Sequence, residues 1–380
     1  MKQQVRLGIV GYGGMGQYHA RYLGEGRVKR VTLAAVADID AKKLVTVAAG
    51  VRTFPDARSL LRSGAVDAVL IATPHYAHVE VGIAALRAGL HVLVEKPVAV
   101  DKAGAEHLIA AHTRRRQVFA VMFNQRTDPR YRHLRELLQR GDLGPVRRVA
   151  WTITDWFRPH AYYASGGWRA TWAGEGGGVL VNQSPHYLDQ LVWLFGAPVR
   201  VRAICRFGRY HPIEVEDDVV AQLEYADGSH ATYTTSTGEA PGTNRLEVVA
   251  DNGRVVIEAG RMQYLRNTVP ASRFSRTTRE FFAGGPPVRE VKLKGLDGPG
   301  GQHAAITQNF VDAILDGAPL IAPAAEGLRP VELANAMLLS AWTNKAIELP
   351  LSGTLYRRWL RRKIAESGKA PGIRQIGLRV

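Results

Sequence analysis

The residues best suited to chemistry stand in separate clusters along this 380-residue chain. Gly11-Tyr12-Gly13-Gly14-Met15-Gly16 has the spacing G-x-G-x-x-G, and an acidic residue, Asp38, follows about 20 residues on. That combination suits a dinucleotide. Gly11 permits a tight turn, Gly13 lets the backbone approach a pyrophosphate, and Gly16 allows close packing of a helix on a strand. The helix then presents unpaired N–H groups and the positive end of its dipole to the phosphates. Asp38 would accept hydrogen bonds from a ribose 2′-hydroxyl and repel a 2′-phosphate, so NAD is expected over NADP. Ile39 offers a 2′-phosphate no cationic clamp, although Lys42 and Lys43 stand nearby. Further on, Lys96 lies between Glu95 and Pro97, and His186 follows Asn182 by four residues. On the helix expected over 179–195 that spacing puts Asn182 and His186 on one face.

These residues need elements to hold them. Val5–Val10 and Val31–Ala37 read as buried parallel strands, and so do Ala65–Ala72, Leu90–Val94 and Val118–Phe123. Helices are expected over Gln17–Leu23, His75–Gly89 and Asp101–Arg115. Such alternation predicts right-handed βαβ crossovers and a parallel sheet. Ligands of these sheets bind beyond the carboxyl ends of the strands, where Thr73, Glu95, Lys96 and Asn124 fall. After Arg126 the pattern changes. An amphipathic helix, Arg130–Arg140, precedes strands of period two at Val146–Trp156, Val199–Phe207, Asp218–Tyr225, Ser229–Thr237, Asn244–Ala250 and Arg254–Glu258. Ala226-Asp227-Gly228 and Asp251-Asn252-Gly253 are hairpin signals between them. Helices over Gly301–Gly317 and Ala324–Ala346 complete this half. The expected fold class is α/β: a Rossmann parallel-sheet domain over 1–125, then an α+β domain with a large, mostly antiparallel open sheet over 126–350. A basic extension, 351–380, closes the chain. One face of the open sheet is a natural subunit contact, so a homodimer or homotetramer is expected.

The segments GIVGYGGMG, IATPHYAHVEVGIAALRAGLHVLVEKPVAV and GEGGGVLVNQSPHYLD together resemble the Gfo/Idh/MocA oxidoreductases, and the resemblance runs from about Val5 to Leu351. It implies an NAD(P)-dependent enzyme acting on sugars, cyclic polyols or related compounds. Lys96 is then the acid/base, because a lysine beside a cationic nicotinamide in a closed cleft has its pKa lowered. Glu95 would position Lys96 and the cofactor, with a cis peptide before Pro97 fixing the lysine's direction. Thr73, Pro74 and His78 match the cofactor-side turn, although His78 could equally cap that turn. Trp168-Arg169 matches a pair that some members use near the nicotinamide. The family usually has Asp where this chain has Asn182. An amide cannot take a proton, so proton transfer falls to Lys96 and His186, with Asn182 orienting substrate. Glu175 is a candidate replacement for the missing carboxylate, and Asp189 is expected to be structural.

Trp156, Tyr162, Tyr163 and Trp172 cluster around Trp168-Arg169. Aromatic faces stack on the C–H faces of sugar rings, so Trp156, Tyr163, Trp172 and Arg169 are expected substrate contacts; the competing reading is an aromatic core. One Cys, Cys205, and scattered histidines give no metal-ligand spacing and no disulfide. The start is no signal peptide and no run is long enough to span a membrane, so a cytoplasmic protein is expected. The net charge of +16 raises nucleic-acid binding as a class, yet no nucleic-acid-binding motif is present. Eight Lys or Arg against one Glu lie in 357–380, so much of the excess is a terminal feature. The main expectation is an NAD-dependent dehydrogenase of a secondary hydroxyl. The alternatives are an NAD-dependent glycoside-cleaving enzyme with no net redox, and a non-enzymatic cofactor sensor.

Overall fold

The computed structural model describes residues 3–367, so the outer part of the basic extension lies outside them. Six parallel strands form the first sheet: β1 (Val5–Val10), β2 (Val31–Ala37), β3 (Arg52–Phe54), β4 (Ala68–Ile71), β5 (His91–Val94) and β6 (Phe119–Val121). Their order is β3-β2-β1-β4-β5-β6. The order reverses between β1 and β4, which opens a crevice at their carboxyl ends. The helices α1 (Gly14–Gly24), α2 (Ala41–Leu44), α3 (Ala57–Arg62), α4 (Ala77–Arg87) and α5 (Lys102–Ala110) connect these strands. Asp56 caps α3 through the Ser59 N–H and Asp101 caps α5 through the Gly104 N–H. The pair β3 and α3 was not anticipated, because a three-residue edge strand with two exposed positions carries little periodic signal.

The second sheet follows α6 (Pro129–Gln139). It contains β7 (Val146–Ile153) and, after α7 (His160–Ala164), α8 (Val179–Asn182) and α9 (Pro185–Phe195), β8 (Arg200–Phe207) and β9 (Glu216–Glu224). Next come β10 (His230–Ser236), β11 (Asn244–Ala250), β12 (Gly253–Glu258), β13 (Arg261–Asn267), α10 (Ala271–Thr277) and β14 (Val288–Glu290). The described residues continue with α11 (Gln302–Asp316), α12 (Leu328–Thr343), β15 (Ile347–Glu348) and α13 (Gly353–Glu366). The nine strands run β14-β13-β12-β11-β7-β10-β9-β8-β15, with only the β7–β10 pair parallel.

Leu188 and Leu191 of α9 and Leu333 and Met337 of α12 share one core with Val201, Val219, Tyr233 and Leu246 of the sheet. Helices therefore cover one face. On the other, Ile204 and Val220 pair directly across β8 and β9 and stay exposed. The chain also crosses back: Ile306, Phe310 and Val311 of α11 pack with Leu7 and Ile9 under the first sheet. The first sheet thus draws part of its core from residues beyond 300.

Candidate active site

Two of the loop glycines are demanded by the fold. Gly11 has φ +91°, and a Cβ there would lie 2.7 Å from the Ala72 carbonyl. At Gly16 a Cβ would lie 2.0 Å from the Gly11 carbonyl. Gly13 is different: its φ is −73°, and a Cβ would meet nothing within 4 Å. Nothing within the protein requires glycine there. Its bareness leaves open surface over the first turn of α1, where no side chain caps the N–H groups. Asp38, at the end of β2, accepts the Tyr12 N–H at 2.6 Å and the Asp40 N–H at 2.8 Å, with Lys43 Nζ 3.4 Å away. A carboxylate at the rim of an uncapped, glycine-bared helix start fits the ribose and phosphates of a dinucleotide. Met15 stays exposed on the first turn beside Gly14.

Lys96 follows β5, and its peptide bond to Pro97 is cis. Its Nζ donates to the Asn182 carbonyl at 2.7 Å. Burial pushes the Lys96 ammonium below its usual pKa; Arg169 and Arg158 push the same way, while Glu95 and Glu175 oppose them. Glu95 accepts the Lys96 backbone N–H at 3.1 Å and pairs with His19 Nε2 at 2.7 Å. Burial acts to raise Glu95, but the hydrogen bond and charge of His19 outweigh it and hold the carboxyl at about 2. The network continues through Tyr22 to Thr307, each step 2.7 Å. His78 does not reach into the site. Its ring nitrogens lie 2.7 Å from the Pro97 carbonyl and 2.8 Å from the Thr73 carbonyl, tying the two turns together.

The helix expected over 179–195 is broken. The Gln183 and Ser184 N–H groups both turn back to the Val179 carbonyl, at 3.2 and 2.8 Å, and Pro185 begins a new helix. Asn182 and His186 therefore sit on successive helices rather than on one face. The break has a use, because it leaves the Asn182 carbonyl for Lys96. The Asn182 amide donates to Glu175 Oε1 and, at 3.1 Å, to the Tyr162 hydroxyl. Both its N–H groups are thus occupied, and Oδ1 remains. Glu175 also accepts the Ala170 N–H at 2.8 Å; burial raises its pKa against that bond, Asn182 and two nearby cations. Arg169 donates to Tyr162 at 2.7 Å and lies over the Tyr162 and Trp168 rings. Trp168 in turn meets His75 edge-on, and His75 Nδ1 lies 3.2 Å from the Glu175 carbonyl.

His186 is buried in the first turn of α9. Burial, then the charge of Lys96, hold it well below the usual imidazole pKa, so the ring is neutral. Trp156 lies 6.5 Å from it, ring to ring, and donates from Nε1 to the Tyr187 hydroxyl. Thr73 Oγ1, Asn124 Oδ1 and His186 Nδ1 are all buried without a hydrogen-bond partner in the protein. Buried polar atoms are otherwise nearly always paired. Asn124 also donates from Nδ2 to Gln302.

Two expected substrate contacts are not brought here. Tyr163 is buried, its hydroxyl on Thr237 at 2.8 Å and its ring against His211. Trp172 packs between Phe207 and Trp342 in the second core. On a helix consecutive residues point about 100° apart, so α7 sends Tyr162 to the site and Tyr163 to the core. Asp189 is a structural partner of buried Arg126, at 2.6 Å. The sequence did not single out His19, His75 or Gln302, although His19 stands one helical turn beyond Gly16, the clearest signal available. Among the described residues no group of three or more His, Cys, Asp or Glu is arranged to hold a metal ion, and no helix is long and apolar enough to cross a membrane.

Comparison with known proteins agrees with this geometry. Residues 5–123 match the family model described as an oxidoreductase family with an NAD-binding Rossmann fold, and residues 131–256 match the GFO/IDH/MocA C-terminal domain. The chain belongs to the Gfo/Idh/MocA oxidoreductase family. The rhizopine catabolism protein MocA of Rhizobium meliloti is 34% identical over 192 residues, covering 50% of this chain and 57% of that protein, so the match spans about half of that relative's length. An inositol 2-dehydrogenase of Rubrobacter xylanophilus is 28% identical over 370 residues, covering 94% of this chain and 97% of that protein. Among solved structures, the WlbA dehydrogenase of Chromobacterium violaceum, in complex with NADH and UDP-GlcNAcA, superposes with a TM-score of 0.80 at 25% identity, over 92% of this chain and 97% of that one. In this Gfo/Idh/MocA member the first sheet is the NAD-binding part, with Gly11 to Gly16 and Asp38 at its crevice.

Proposed function

We propose that this protein is an NAD-dependent dehydrogenase that oxidises a secondary hydroxyl of a sugar, glycoside or cyclic polyol, or reduces the matching ketone. The observation that carries this reading is Lys96 after β5, with the unpartnered buried atoms of Thr73 and Asn124 after the neighbouring strands β4 and β6, and with the charge of Lys96 acting on the unpartnered ring of His186 in α9. When bound, NAD supplies the hydride acceptor. Lys96 in its neutral form takes the hydroxyl proton, and the Asn182 carbonyl steadies the ammonium that results. Neutral His186 holds the same hydroxyl through Nδ1. Asn182, with both N–H groups taken by Glu175 and Tyr162, presents Oδ1 as an acceptor and so orients a second hydroxyl. Trp156 and Trp168 offer ring faces, and Arg169 fixes Tyr162. Asp38 favours NAD over NADP.

The test is purified protein with NAD against a panel of sugars, cyclic polyols and glycosides, following NADH. NADH formed in step with the ketone supports the reading. Sugar release without NADH would instead assign the redox-neutral cycle, and no turnover on any compound in either direction would remove the reading.

A further inference from the structure

A surface-connected cavity of about 320 Å³ adjoins the candidate site and takes no part in the chemistry described above. It shares two walls with that site. Tyr187, the residue after His186, accepts the Trp156 indole N–H at 3.0 Å, and Gln302 accepts from Asn124. The remaining lining includes Gln125, Tyr131, Asp155 and Asn244.

The lining suits a particular chemistry. The Tyr187 hydroxyl oxygen accepts from Trp156 and, at 2.9 Å, from Asn244, and Gln125 is a third hydrogen-bond partner of the same hydroxyl. Among the described residues no cation pairs with Asp155. The cavity's own cation, Arg130, is held by Asp128 at 2.9 Å. A carboxylate without a counter-charge accepts hydrogen bonds from neighbouring hydroxyls and repels anions. The amides of Asn244 and Gln302 are already bonded within the protein, Asn244 to Tyr187, Trp151 and Asp155 and Gln302 to Asn124 and the Pro299 carbonyl. They therefore brace the lining while Asp155 keeps acceptor capacity for a ligand, and Tyr131 adds an aromatic wall. The volume falls near the lower end of ligand pockets, about 300–1,000 Å³, which suits one ring rather than an oligosaccharide.

We infer that this cavity is a subsite for an uncharged glycosyl unit next to the ring being oxidised, so that the preferred substrate is a neutral glycoside of two rings rather than a single ring or a nucleotide- or uronate-linked sugar. This rests on the dehydrogenase reading. The reacting ring lies at Lys96 and His186, and its neighbour passes Trp156 to lie between Asp155, Asn244 and Tyr187.

The test uses the whole enzyme with NAD and three matched compounds: a monosaccharide or cyclitol that it oxidises, the neutral disaccharide built on it, and the same disaccharide with a uronate as the distal ring. The expected order places the neutral disaccharide at least about tenfold above the other two in kcat/KM, the discrimination that a built hydrogen-bonding site readily exceeds. Asp155→Asn should remove most of that gain and leave the single-ring rate within about twofold. Equal kcat/KM for one and two rings, preference for the uronate, or an Asp155→Asn loss shared by all three compounds would overturn the subsite while leaving the dehydrogenase reading intact. If nothing is oxidised, the dehydrogenase reading fails instead, and calorimetric binding of the neutral disaccharide to NAD-loaded enzyme decides the subsite. Binding weakened about tenfold in Asp155→Asn supports it, and no binding, or binding unchanged by that variant, sinks it.

Discussion

The Lys96 side chain is caught between burial and its neighbours, and that balance is measurable. Oxidation needs its neutral amine, so kcat/KM should rise with pH through the Lys96 pKa, on a limb lying below the ordinary lysine value of 10.5. Arg169 helps to lower that pKa. Arg169→Met should therefore move the limb to higher pH, and an unmoved limb would detach Lys96 from the profile. Lys96→Ala should lose about 100-fold or more in turnover while its NAD affinity, read by fluorescence titration, stays near wild type. Asn182 offers a sharper contrast. Restoring the family's usual Asp there sets a second carboxylate against buried Glu175, with which the amide now shares a hydrogen bond. Asn182→Asp should lower the melting temperature, by about 1–3 kcal/mol of stability. Adding Glu175→Gln should recover most of it, because the donor and acceptor have simply changed places; an Asn182→Asp protein as stable as wild type would contradict the contact. At this scale residue type singled out Lys96, Asn182 and His186, but the spacing that was expected to put Asn182 and His186 on one helical face misled, because the helix breaks between them. Tyr162 against Tyr163 was not legible, since only the start of α7 decides which of two adjacent tyrosines turns inward.

Elements decide whether those side chains meet, and the two kinds of glycine in the first loop separate fold from function. Gly16→Ala brings a methyl to 2.0 Å from a backbone carbonyl, so both stability and NAD affinity should fall. Gly13→Ala meets no protein atom. It should melt within a few degrees of wild type yet bind NAD at least about tenfold more weakly, because the added methyl occupies the phosphate surface. A Gly13→Ala protein with normal affinity would move the phosphates elsewhere. Pro185 acts in the opposite way, by keeping α8 and α9 apart. Pro185→Ala supplies an N–H at 185 that can reach the Val181 carbonyl and removes the ring's clash there, so α8 and α9 can join and the His186 N–H then competes with Lys96 for the Asn182 carbonyl. Turnover should fall by at least about tenfold, the scale expected for a reacting group misplaced by an ångström or so, with no loss in melting temperature. The parallel strands were legible because buried runs such as Ala68–Ile71 are apolar throughout. The break at 183–184 was not, since a proline inside an apolar helical pattern marks either a kink or a fresh start, and only packing chooses. Strands β13 and β14 were missed because the edge strand β14 has only three exposed residues and its neighbour β13, RMQYLRN, carries polar residues on both faces.

For the whole molecule the open question is what covers the second sheet. Along β8 and β9 the inward positions, Val201, Ala203, Val219, Ala221 and Leu223, are buried against the helices. The outward positions are Arg200, Arg202, Ile204 and Arg206 on β8 and Val220, Gln222 and Glu224 on β9. Ile204 and Val220 face each other across the two strands at 60% and 47% exposure, and Phe207 stands exposed at the end of β8. This apolar pair, on the two strands next to the β15 edge and rimmed by charge, is the patch that a subunit contact would cover. A two-fold axis can cover it with the same face of a second copy. We propose that this face joins subunits, so the protein should sediment as a dimer or tetramer. The basic charge bears on the same experiment. In α13, Tyr356 and Leu360 are buried and Arg357 pairs with Asp101 at 2.7 Å, so this helix is packed on α5 rather than free to form the contact. Val220→Glu sets a carboxylate at the centre of the sheet contact, opposite Ile204, where a two-fold axis repeats it against its own copy. That variant should shift sedimentation to the monomer at micromolar concentration and stay folded, since the residue is already half exposed and its cross-strand partners remain. A wild-type protein that sediments as a monomer, or a Val220→Glu protein of unchanged size, would place the subunit contact somewhere other than this face.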